Sequence, residues 1–318
     1  MNTKYVIATV VIIVLLISAA FIIYYQGQAP DEGLEALQSL VDDTNYPTSL
    51  TAYPERIVSV APSCTELLFA IGAGDKVVGV TDYCNYPYNF TAWIAEGNMT
   101  SVGNFKDPNM EVITTLDPDL ILASGGVQAE SVDTLRERGY KVLVLDPTTI
   151  EGILNNVELV GNATGKRAEA TAFVNDITTR IETVENTVAG ATKPKVYYEV
   201  YYYSTASWTI GGLAWQTEVI EKAGGINIFD DQQTDYYQYQ VEALIDRNPD
   251  VIVLPGEGMG SGTAEGIEAV KARPGWDTTN AVQNDRIYQI NSDIIERSGS
   301  RLAEAIEQMA EFFHPELF

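Results

Sequence analysis

Two stretches of this chain repeat the same local pattern in the same order. Residues 65–72 (TELLFAIG) are matched by residues 217–224 (TEVIEKAG), and residues 111–122 (EVITTLDPDLIL) are matched by residues 242–253 (EALIDRNPDVIV). In the second pair a glutamate precedes a proline by seven positions in both copies. A helix followed by Asp-Pro and a strand is a common junction, because proline ends a helix. Two matching pairs in the same order nevertheless predict a chain built from two lobes of one design.

Each half of the chain alternates apolar strand patterns with helical patterns. Residues 56–60 and 76–81 are typical of buried strands, and a helix capped by Ser63 or Thr65 is predicted between them. Short connections between such elements predict Rossmann-like α/β lobes, with parallel sheets covered by helices on both faces. Over residues 163–188 apolar side chains recur at helical spacing, so one long, rigid α-helix is predicted to join the lobes.

These patterns divide the chain into successive segments. In open α/β sheets ligands bind beyond the carboxyl ends of the strands, so two facing lobes predict a binding cleft between them. A helical connector is stiffer than loops, which predicts only a small closing motion. The predicted segments are a cytoplasmic N-terminus over residues 1–4, a transmembrane helix over 5–25, a stalk or linker over 26–52, an N-terminal lobe over 53–149, a connecting helix over 150–192 and a C-terminal lobe over 193–318.

The N-terminal segment is apolar enough to anchor the chain in a membrane. Residues 5–25 carry no charge and would span about 30 Å as a helix, the thickness of a bilayer's hydrocarbon core. Tyr24 and Tyr25 end the run as interfacial aromatic residues do, and Lys4 precedes it while acidic residues follow. This arrangement predicts a single-pass membrane protein with its binding domain on the extracytoplasmic side. The alternative, a cleaved signal peptide, places residues 26–318 on the same side.

The composition argues against several classes of function. The net charge of −25 repels phosphate backbones, so no nucleic-acid partner is expected. His314 is the only histidine, which argues against a zinc or manganese site and against a Ser-His-Asp or Cys-His mechanism. We therefore predict no metal ligands, no catalytic residues and no resident cofactor, and we expect His314 at the surface.

Two further expectations depend on an extracytoplasmic location. Asn89, Asn98 and Asn162 each begin an Asn-x-Ser/Thr sequon and are candidate sites of N-glycosylation. Cys64 and Cys84 follow the first and second predicted strands, and neighbouring parallel strands lie about 4.8 Å apart. An oxidising compartment would allow a disulfide between them. Two free thiols, or a thiolate that binds a metal of the ligand, are the alternatives.

Several motifs resemble those of a known family. The stretches SVAPSCTELLFAIGAGDKVVGVTDYCNYP, VGNFKDPNMEVITTLDPDLILA, GGINIF and NSDIIERSGSRL resemble the periplasmic vitamin-B12-binding proteins (BtuF-like). That family belongs to the helical-backbone class, class III, of ABC transporter solute-binding proteins, which also contains siderophore and haem binders. The resemblance covers nearly all of the chain from Pro54 onward. It implies that the transported ligand is a cobalt corrinoid and that the partner is an ABC permease dimer with its ATPase.

The resemblance also implies a role for the two repeated glutamates. In the family one surface glutamate on each lobe docks on arginines of the permease, and Glu111 and Glu242 occupy those positions. Two carboxylates held a fixed distance apart suit the recognition of two basic pockets. The alternative is that each is an ordinary first-turn glutamate, favoured by the helix dipole.

The family's cleft carries aromatic side chains that cover the corrin ring, together with a polar pair directed at the ligand. Aromatic faces suit a broad, flat macrocycle because they bury much apolar area. Core packing is the alternative for each aromatic residue, and an i, i+4 helix salt bridge is the alternative for the polar pair. The ligand-binding residues that the resemblance implies are Tyr83, Phe105, Trp208, Tyr236, Asp293 and Arg297.

The leading hypothesis is a transport receptor that performs no chemistry, binds cobalamin in the inter-lobe cleft and delivers it to the permease. The alternative within the class is a receptor for ferric siderophore or haem. Anionic siderophores would require several cationic cleft residues, and only Arg297 is an obvious candidate. The alternatives from other classes are a cell-surface hydrolase, for which no catalytic pair of carboxylates is recognisable, and a structural surface protein.

Overall fold

The computed structural model of this protein describes residues 40–203, 207–258 and 266–318. They form two α/β lobes, each built round one principal sheet. Within these residues no helix is both long enough and apolar enough to cross a membrane. The predicted transmembrane helix over residues 5–25, and the predicted cytoplasmic residues 1–4, lie outside the described part of the chain.

A short hairpin precedes the N-terminal lobe. Strands β1 (Leu40–Val41) and β2 (Pro47–Thr48) pair antiparallel, and Leu40 and Leu50 are buried in the core of the lobe. The predicted stalk therefore does not extend to residue 52, because residues 40–52 are packed against the lobe.

The N-terminal lobe has the predicted parallel sheet. Its strands are β3 (Ile57–Ser59), β4 (Val77–Val80), β5 (Thr100–Ser101), β6 (Leu120–Ser124) and β7 (Val142–Leu145). They lie in the order β5-β4-β3-β6-β7, and every neighbouring pair is parallel. The helices of the lobe are α1 (Pro62–Ala70), α2 (Phe90–Ala95), α3 (Met110–Leu116) and α4 (Ala129–Glu137).

The core of this lobe lies on both faces of the sheet. Along β6, Leu120 and Leu122 pack in one apolar cluster while Ile121 and Ala123 pack in another. Side chains alternate between the two faces of a strand, so the continuous apolar run of β6 reflects burial on both sides. This arrangement confirms helices on both faces of the N-terminal sheet.

The start of α1 differs from the prediction. Its N-cap is Ala61, which offers no side-chain cap, and Pro62 occupies the first turn. Proline has no N–H there that would need a partner. The predicted caps Ser63 and Thr65 lie inside the helix, and the Thr65 hydroxyl instead donates to Ser59 Oγ over 2.7 Å.

Two helices, rather than the predicted single one, connect the lobes. Helix α5 (Ile150–Thr164) ends at Gly165, whose φ of 73° is left-handed, and α6 (Arg167–Thr187) follows it. A left-handed C-cap cannot continue an α-helix, which is why the predicted helix over residues 163–188 is interrupted. Both helices contribute to the cores of both lobes, and the rigidity of the link stays a prediction that this packing supports.

The C-terminal lobe has a mixed sheet. Its strands are β8 (Lys195–Tyr201), β9 (Ser207–Ile210), β10 (Ile226–Asn227), β11 (Tyr236–Tyr239), β12 (Val251–Pro255) and β13 (Ile287–Ile290). They lie in the order β11-β9-β8-β12-β13, with β10 also paired to β8. The contacts of β8 with β9 and of β9 with β11 are antiparallel, so the prediction of an entirely parallel sheet is wrong for this lobe. The remaining pairs are parallel.

Six helices complete the C-terminal lobe in the described residues. They are α7 (Trp215–Lys222), α8 (Val241–Arg247), α9 (Ile267–Lys271), α10 (Asn280–Gln283), α11 (Ser292–Ile295) and α12 (Leu302–Phe313). The last helix packs on α6 through the largest apolar cluster of the molecule. His314 follows it and is buried, with its Nε2 3.2 Å from the carbonyl oxygen of Gly224, so the expected surface position is wrong.

The sequence repeat corresponds to one junction that is built twice. Helices α3 and α8 end at Asp117 and Asn248, both in the left-handed region with φ of 45° and 49°. A proline and an aspartate then lead into β6 and β12. The carboxylate of Asp119 accepts hydrogen bonds from the backbone just before β3, and that of Asp250 accepts one from the Lys195 backbone. The repeat therefore ties each helix end to the neighbouring strand of its sheet.

Candidate functional site

The candidate site is a cleft between the two lobes, with a cavity volume of about 220 Å³. The N-terminal lobe supplies residues at the carboxyl ends of β6 and β7, where ligands of open α/β sheets bind. The C-terminal lobe supplies the end of the segment between β9 and α7, the first turn of α7, the start of β11 with the residue before it, and the turn after α11. The lining residues are Ser124, Asp146, Pro147, Thr148, Leu213, Ala214, Trp215, Gln216, Asp235, Tyr236, Glu296 and Ser298.

Three carboxyl groups line this cleft: Asp146 from the N-terminal lobe, and Asp235 and Glu296 from the C-terminal lobe. Burial, together with the charges of Asp43 and Asp235, raises the pKa of Asp146. Burial also raises the pKa of Glu296, opposed by a hydrogen bond that the Tyr198 hydroxyl donates to Glu296 Oε1. The site is therefore acidic, and the raised pKa values mean that Asp146 and Glu296 hold protons more tightly than they would in water.

A buried amide and a phenol complete the polar lining. Gln216 is 1% exposed, and its Nε2 makes no hydrogen bond of normal geometry. That amide is nevertheless close enough to Tyr236 to oppose the rise in the pKa of its phenol. Burial and then Glu296 raise this pKa to about 12, so Tyr236 remains neutral. An amide donor without a partner in a buried site is costly unless a ligand or water meets it.

Of the aromatic residues predicted to bind the ligand, Tyr236 lines this cleft and is 47% exposed. Tyr83 and Trp208 are 41% and 39% exposed, but neither belongs to the lining. The Tyr83 hydroxyl accepts a hydrogen bond from Asn104 over 3.2 Å. Phe105 is partly buried against the core of the N-terminal lobe. Phe105 thus packs in the core, which was the alternative to ligand binding. Tyr83 and Trp208 are exposed but lie outside the lining of the cleft.

Asp293 and Arg297 are not directed at the cleft. Both are buried, and Arg297 Nη2 lies 2.8 Å from Asp293 Oδ1, so the i, i+4 salt bridge that was the alternative is formed. Arg297 Nη1 also lies 2.6 Å from Oε1 of Glu66, which belongs to α1 of the other lobe. The predicted role in ligand binding is therefore corrected, because these charges are used between the lobes.

We call this inter-lobe cluster the lobe latch; it consists of Glu66, Asn85, Asp293, Arg297 and Arg301. Arg301 Nε donates to Glu66 Oε2 over 2.9 Å, so that carboxylate is held by two guanidinium groups. Asn85 donates to Asp293 over 2.7 Å and accepts from Arg297 over 2.8 Å. All of these contacts cross from one lobe to the other, or support a contact that does.

The matching glutamate of the repeat joins the C-terminal lobe to the connector. Glu218, on α7, accepts a hydrogen bond over 2.9 Å from the backbone N–H of Ile150, the first residue of α5. A carboxylate at a helix N-terminus satisfies a free backbone donor and is favoured by the helix dipole. The Thr-Glu repeat thus supplies one contact between the lobes, through Glu66, and one between the C-terminal lobe and the connector, through Glu218.

The two glutamates predicted to dock on the permease are both exposed. Glu111 lies in the first turn of α3 and Glu242 in the first turn of α8, which are equivalent helices of the two lobes. In the first of these, the side chain of Asn109 caps the helix by accepting from the backbone of Glu111 and Val112. The carboxylates are thus presented on matching surfaces, one per lobe.

The predicted disulfide between Cys64 and Cys84 is not formed, because both residues are free, buried cysteines. The Cys84 Sγ lies 3.1 Å from the Thr65 hydroxyl and 3.4 Å from the Thr81 hydroxyl. Burial raises the pKa of the Cys64 thiol to about 12, so it stays protonated and unreactive. Neither cysteine lines the cleft, which removes the suggestion that a thiolate binds the ligand there.

The three sequon asparagines differ in their surroundings. Asn89 and Asn98 are exposed, and the Asn89 side chain caps α2 by accepting from the Ala92 backbone. The half-buried Asn162 accepts a hydrogen bond from Arg167 over 2.7 Å. Glycosylation of all three remains a prediction.

The sequence analysis did not single out Asp146, Gln216, Asp235 or Glu296. Asp146 follows β7 directly, so its position at a strand end was a signal that could have identified it. Gln216 lies in the first turn of α7, Asp235 just before β11 and Glu296 just after α11, and no spacing in the sequence marks them. In the described residues no cluster of three or more His, Cys, Asp or Glu side chains is arranged to hold a metal ion.

Comparison with known proteins connects this geometry to a family. The periplasmic binding protein family matches residues 57–294. An uncharacterized ABC transporter substrate-binding lipoprotein of Bacillus subtilis, YvrC, is 31% identical over 294 residues, which are 89% of this chain and 88% of that protein. The vitamin B12-binding protein of Vibrio vulnificus (strain YJ016) is 30% identical over 275 residues, which are 84% of this chain and 93% of that protein.

Solved structures agree with this assignment. The vitamin B12-binding protein BtuF of Vibrio cholerae is 28% identical, with a TM-score of 0.67, over 82% of this chain and 97% of that one. The periplasmic heme-binding protein RhuT of Roseiflexus sp. RS-1 has a TM-score of 0.70 over 83% of this chain and 99% of that one. Its identity of 22% shows only a shared fold. The chain therefore belongs to the periplasmic binding protein family, within class III of the ABC transporter substrate-binding proteins.

Proposed function

We propose that this protein captures a corrinoid of the cobalamin type in the inter-lobe cleft and delivers it to an ABC importer. The observation that carries the proposal is the cleft itself, which is lined by both lobes of a chain whose relatives include vitamin B12-binding proteins. The exposed phenol of Tyr236 lies among its lining residues and offers apolar area to a flat ring, and the largely buried indole of Trp215 also lines the cleft. The chain binds and releases its ligand without chemical change.

The proposed partner is a permease dimer that is recognised through Glu111 and Glu242. Both carboxylates are exposed on equivalent helices, and the two-helix connector fixes the separation of the lobes that carry them. A pair of charges at a fixed separation favours one docking orientation. We further propose that residues 5–25 hold the protein at the membrane, where tethering would raise its effective concentration beside the permease.

Ligand titration tests the proposal directly. We expect cobalamin or cobinamide to quench the fluorescence of Trp215 saturably, because this indole lines the cleft. A Trp215→Phe variant should bind with similar affinity and show a smaller change in fluorescence, which assigns the signal to the cleft. Saturable binding of haem or of a ferric siderophore, with no binding of either corrinoid, would replace the proposed ligand with the alternative.

A double substitution tests the docking surface separately. We expect Glu111→Ala combined with Glu242→Ala to lower corrinoid uptake about tenfold or more, while the affinity for free corrinoid stays unchanged. The matched control is Asp133→Ala combined with Asp246→Ala, which removes two exposed carboxylates from α4 and α8. Equal uptake by the two double variants would contradict the docking role.

A further inference from the structure

We propose that the cleft selects its ligand by charge: it accepts a macrocycle edged with neutral amide groups and rejects the same macrocycle edged with carboxylates. This inference rests on the proposed function and names the property by which the site would distinguish corrinoids from one another and from haem. It is carried by two features of the lining: the three carboxyl groups, and the buried amide of Gln216, whose Nε2 makes no hydrogen bond of normal geometry.

The carboxyl groups of the cleft have no cation beside them. Among the lining residues that the structure describes there is no lysine, arginine or histidine. None of Asp146, Asp235 and Glu296 takes part in a salt bridge within the same described ranges. The two nearby arginines of the C-terminal lobe, Arg297 and Arg301, are held by Glu66 in the lobe latch. The negative charge of the cleft is therefore not compensated by a cationic side chain of the lining, and a bound ligand would interact with it directly.

The positions of Asp146, Glu296 and Asp235 show how their carboxyl groups face the cleft and one another. The Asp146 carboxylate lies over Gly125, where a Cβ would come within 1.9 Å of Asp146 Oδ2. Glu296 lines the cleft and accepts a hydrogen bond from Tyr198 on Oε1, which leaves Oε2 able to accept another. Asp235 raises the pKa of Asp146 from the opposite lobe, so the two carboxyl groups interact across the cleft.

The buried amide adds the complementary donor. Gln216 Nε2 is buried and makes no hydrogen bond of normal geometry, although the Tyr236 phenol is close to it, and Gln216 lines the cleft. A primary amide on the ligand has both groups that this site requires, because its carbonyl oxygen accepts from Gln216 and its N–H groups donate to carboxylates. A ligand carboxylate can accept from Gln216 but offers no donor, and it meets carboxyl groups of like charge.

The decisive experiment compares two forms of one corrinoid on the intact protein. The polyamide and the polycarboxylate forms share the cobalt and the ring, so their affinities differ only through the ring substituents. We expect the polycarboxylate to bind about 100-fold more weakly in mildly alkaline buffer. The measurement is repeated at high salt, because salt screens the overall charge of −25 far more than it screens a partly enclosed cleft.

Variants assign the preference to named side chains. Asp146→Asn combined with Asp235→Asn and Glu296→Gln should reduce the preference to below about tenfold, mainly by strengthening the binding of the polycarboxylate. The matched control Asp133→Asn, on the exposed surface of α4, should leave the preference unchanged. Gln216→Ala should weaken binding of the polyamide about tenfold, the effect of one lost hydrogen bond.

The outcomes separate this inference from the function on which it rests. Tight binding of both forms with equal affinity overturns the selection by charge and leaves corrinoid transport intact. Failure of both forms to bind overturns the two proposals together. A preference for the polyamide that survives the triple substitution also overturns the inference, because the discrimination would then come from other groups.

Discussion

Glu66 joins the two lobes through side chains that lie far apart in the sequence. It is 2% exposed and accepts hydrogen bonds from Arg297 and Arg301, more than 230 positions later in the chain. Transfer of such charges out of water is costly, and the cost is recovered only when each charge has well-placed partners. The lobe latch meets this condition, so removal of one partner should cost far more than removal of a surface ion pair.

We expect Arg297→Met to lower the free energy of unfolding by about 3 kcal/mol, because it leaves a buried carboxylate without one of its partners. The matched control is Arg180→Met, which breaks the half-exposed ion pair with Glu307 and should cost less than about 1 kcal/mol. Urea unfolding of the two variants measures the difference. Equal losses would show that the latch contributes no more than a surface pair.

Glu296 should make stability depend on pH. Burial raises its folded-state pKa above the ordinary value of 4.5, so the folded protein binds its proton more tightly than the unfolded chain does. The stability that comes from this proton is fully present below 4.5 and is lost as pH rises through the folded-state pKa. We expect Glu296→Gln to become progressively more stable than the wild type over that interval.

Urea unfolding at a series of pH values measures this effect. Tyr198 donates a hydrogen bond to the Glu296 carboxyl group and thereby favours its ionised form. Tyr198→Phe should therefore raise the pKa of Glu296 further and widen the interval. A difference between Glu296→Gln and the wild type that does not change with pH would contradict the assignment.

Part of the candidate site could be predicted from the sequence because strand ends identify the cleft. Tyr236, predicted to bind the ligand, does line the cleft, whereas Asp293 and Arg297, also assigned to the ligand, pair with each other and with Glu66. Their i, i+4 spacing has the same appearance whether the pair faces a ligand or a partner lobe. Only the fold brings Glu66 next to them, so the sequence could not distinguish the two roles.

At the level of elements, the repeated junction after α3 and α8 places Asp117 and Asn248 in the same backbone conformation. Their side chains differ in the hydrogen bonds that they make. Asp117 and Asn248 both adopt positive φ, which glycine tolerates without strain. The Asn248 side chain also accepts a hydrogen bond from the Asn280 backbone over 2.7 Å. For Asp117 the structure describes the positive φ but no such side-chain hydrogen bond.

We therefore expect opposite results from one substitution at the two positions. Asp117→Gly should raise the free energy of unfolding by up to about 0.5 kcal/mol, since relief of strain exceeds the added entropy of the unfolded chain. Asn248→Gly should lower it by about 1 kcal/mol through the lost hydrogen bond. Denaturant midpoints of the two variants decide this, and a loss of stability in both would contradict the distinction.

The elements that could be predicted are those whose burial is regular. The strands β6 and β12 are continuous apolar runs buried on both faces, and both were identified together with the helices before them. The strands β9 and β11 were not expected to be antiparallel, because their short, partly exposed segments carry no signal of direction. The break at Gly165 was also missed, since apolar spacing continues on both sides of it.

For the whole molecule, the two-helix connector and the lobe latch restrain the lobes from different directions. Helix α6 has 21 residues and is therefore about 32 Å long. Helix α5 contributes Ile150 and Ile153 to the core of one lobe, and Val157 and Val160 to that of the other. A large hinge motion would have to remove these side chains from one core or the other.

We expect ligand binding to change the radius of gyration by less than about 1 Å, since both restraints resist rigid-body rotation. Small-angle X-ray scattering of the free and the ligand-bound protein measures this. Glu66→Ala, which opens the latch but keeps the connector, should allow a larger change. A contraction of several ångströms in the wild type would mean that the restraints yield on binding.

The crossing contacts of Glu66 and Glu218 have a consequence for the independence of the halves. Glu66 pairs with arginines of the C-terminal lobe, and Glu218 accepts a hydrogen bond from the start of the connector. Either half on its own would therefore lack a partner for one acidic side chain. A fragment that ends within the connector would expose an acid whose counterpart is on the missing piece. The two halves therefore share one architecture, yet neither is expected to be stable as a separate domain, because each depends on the other for the partner of an acidic side chain.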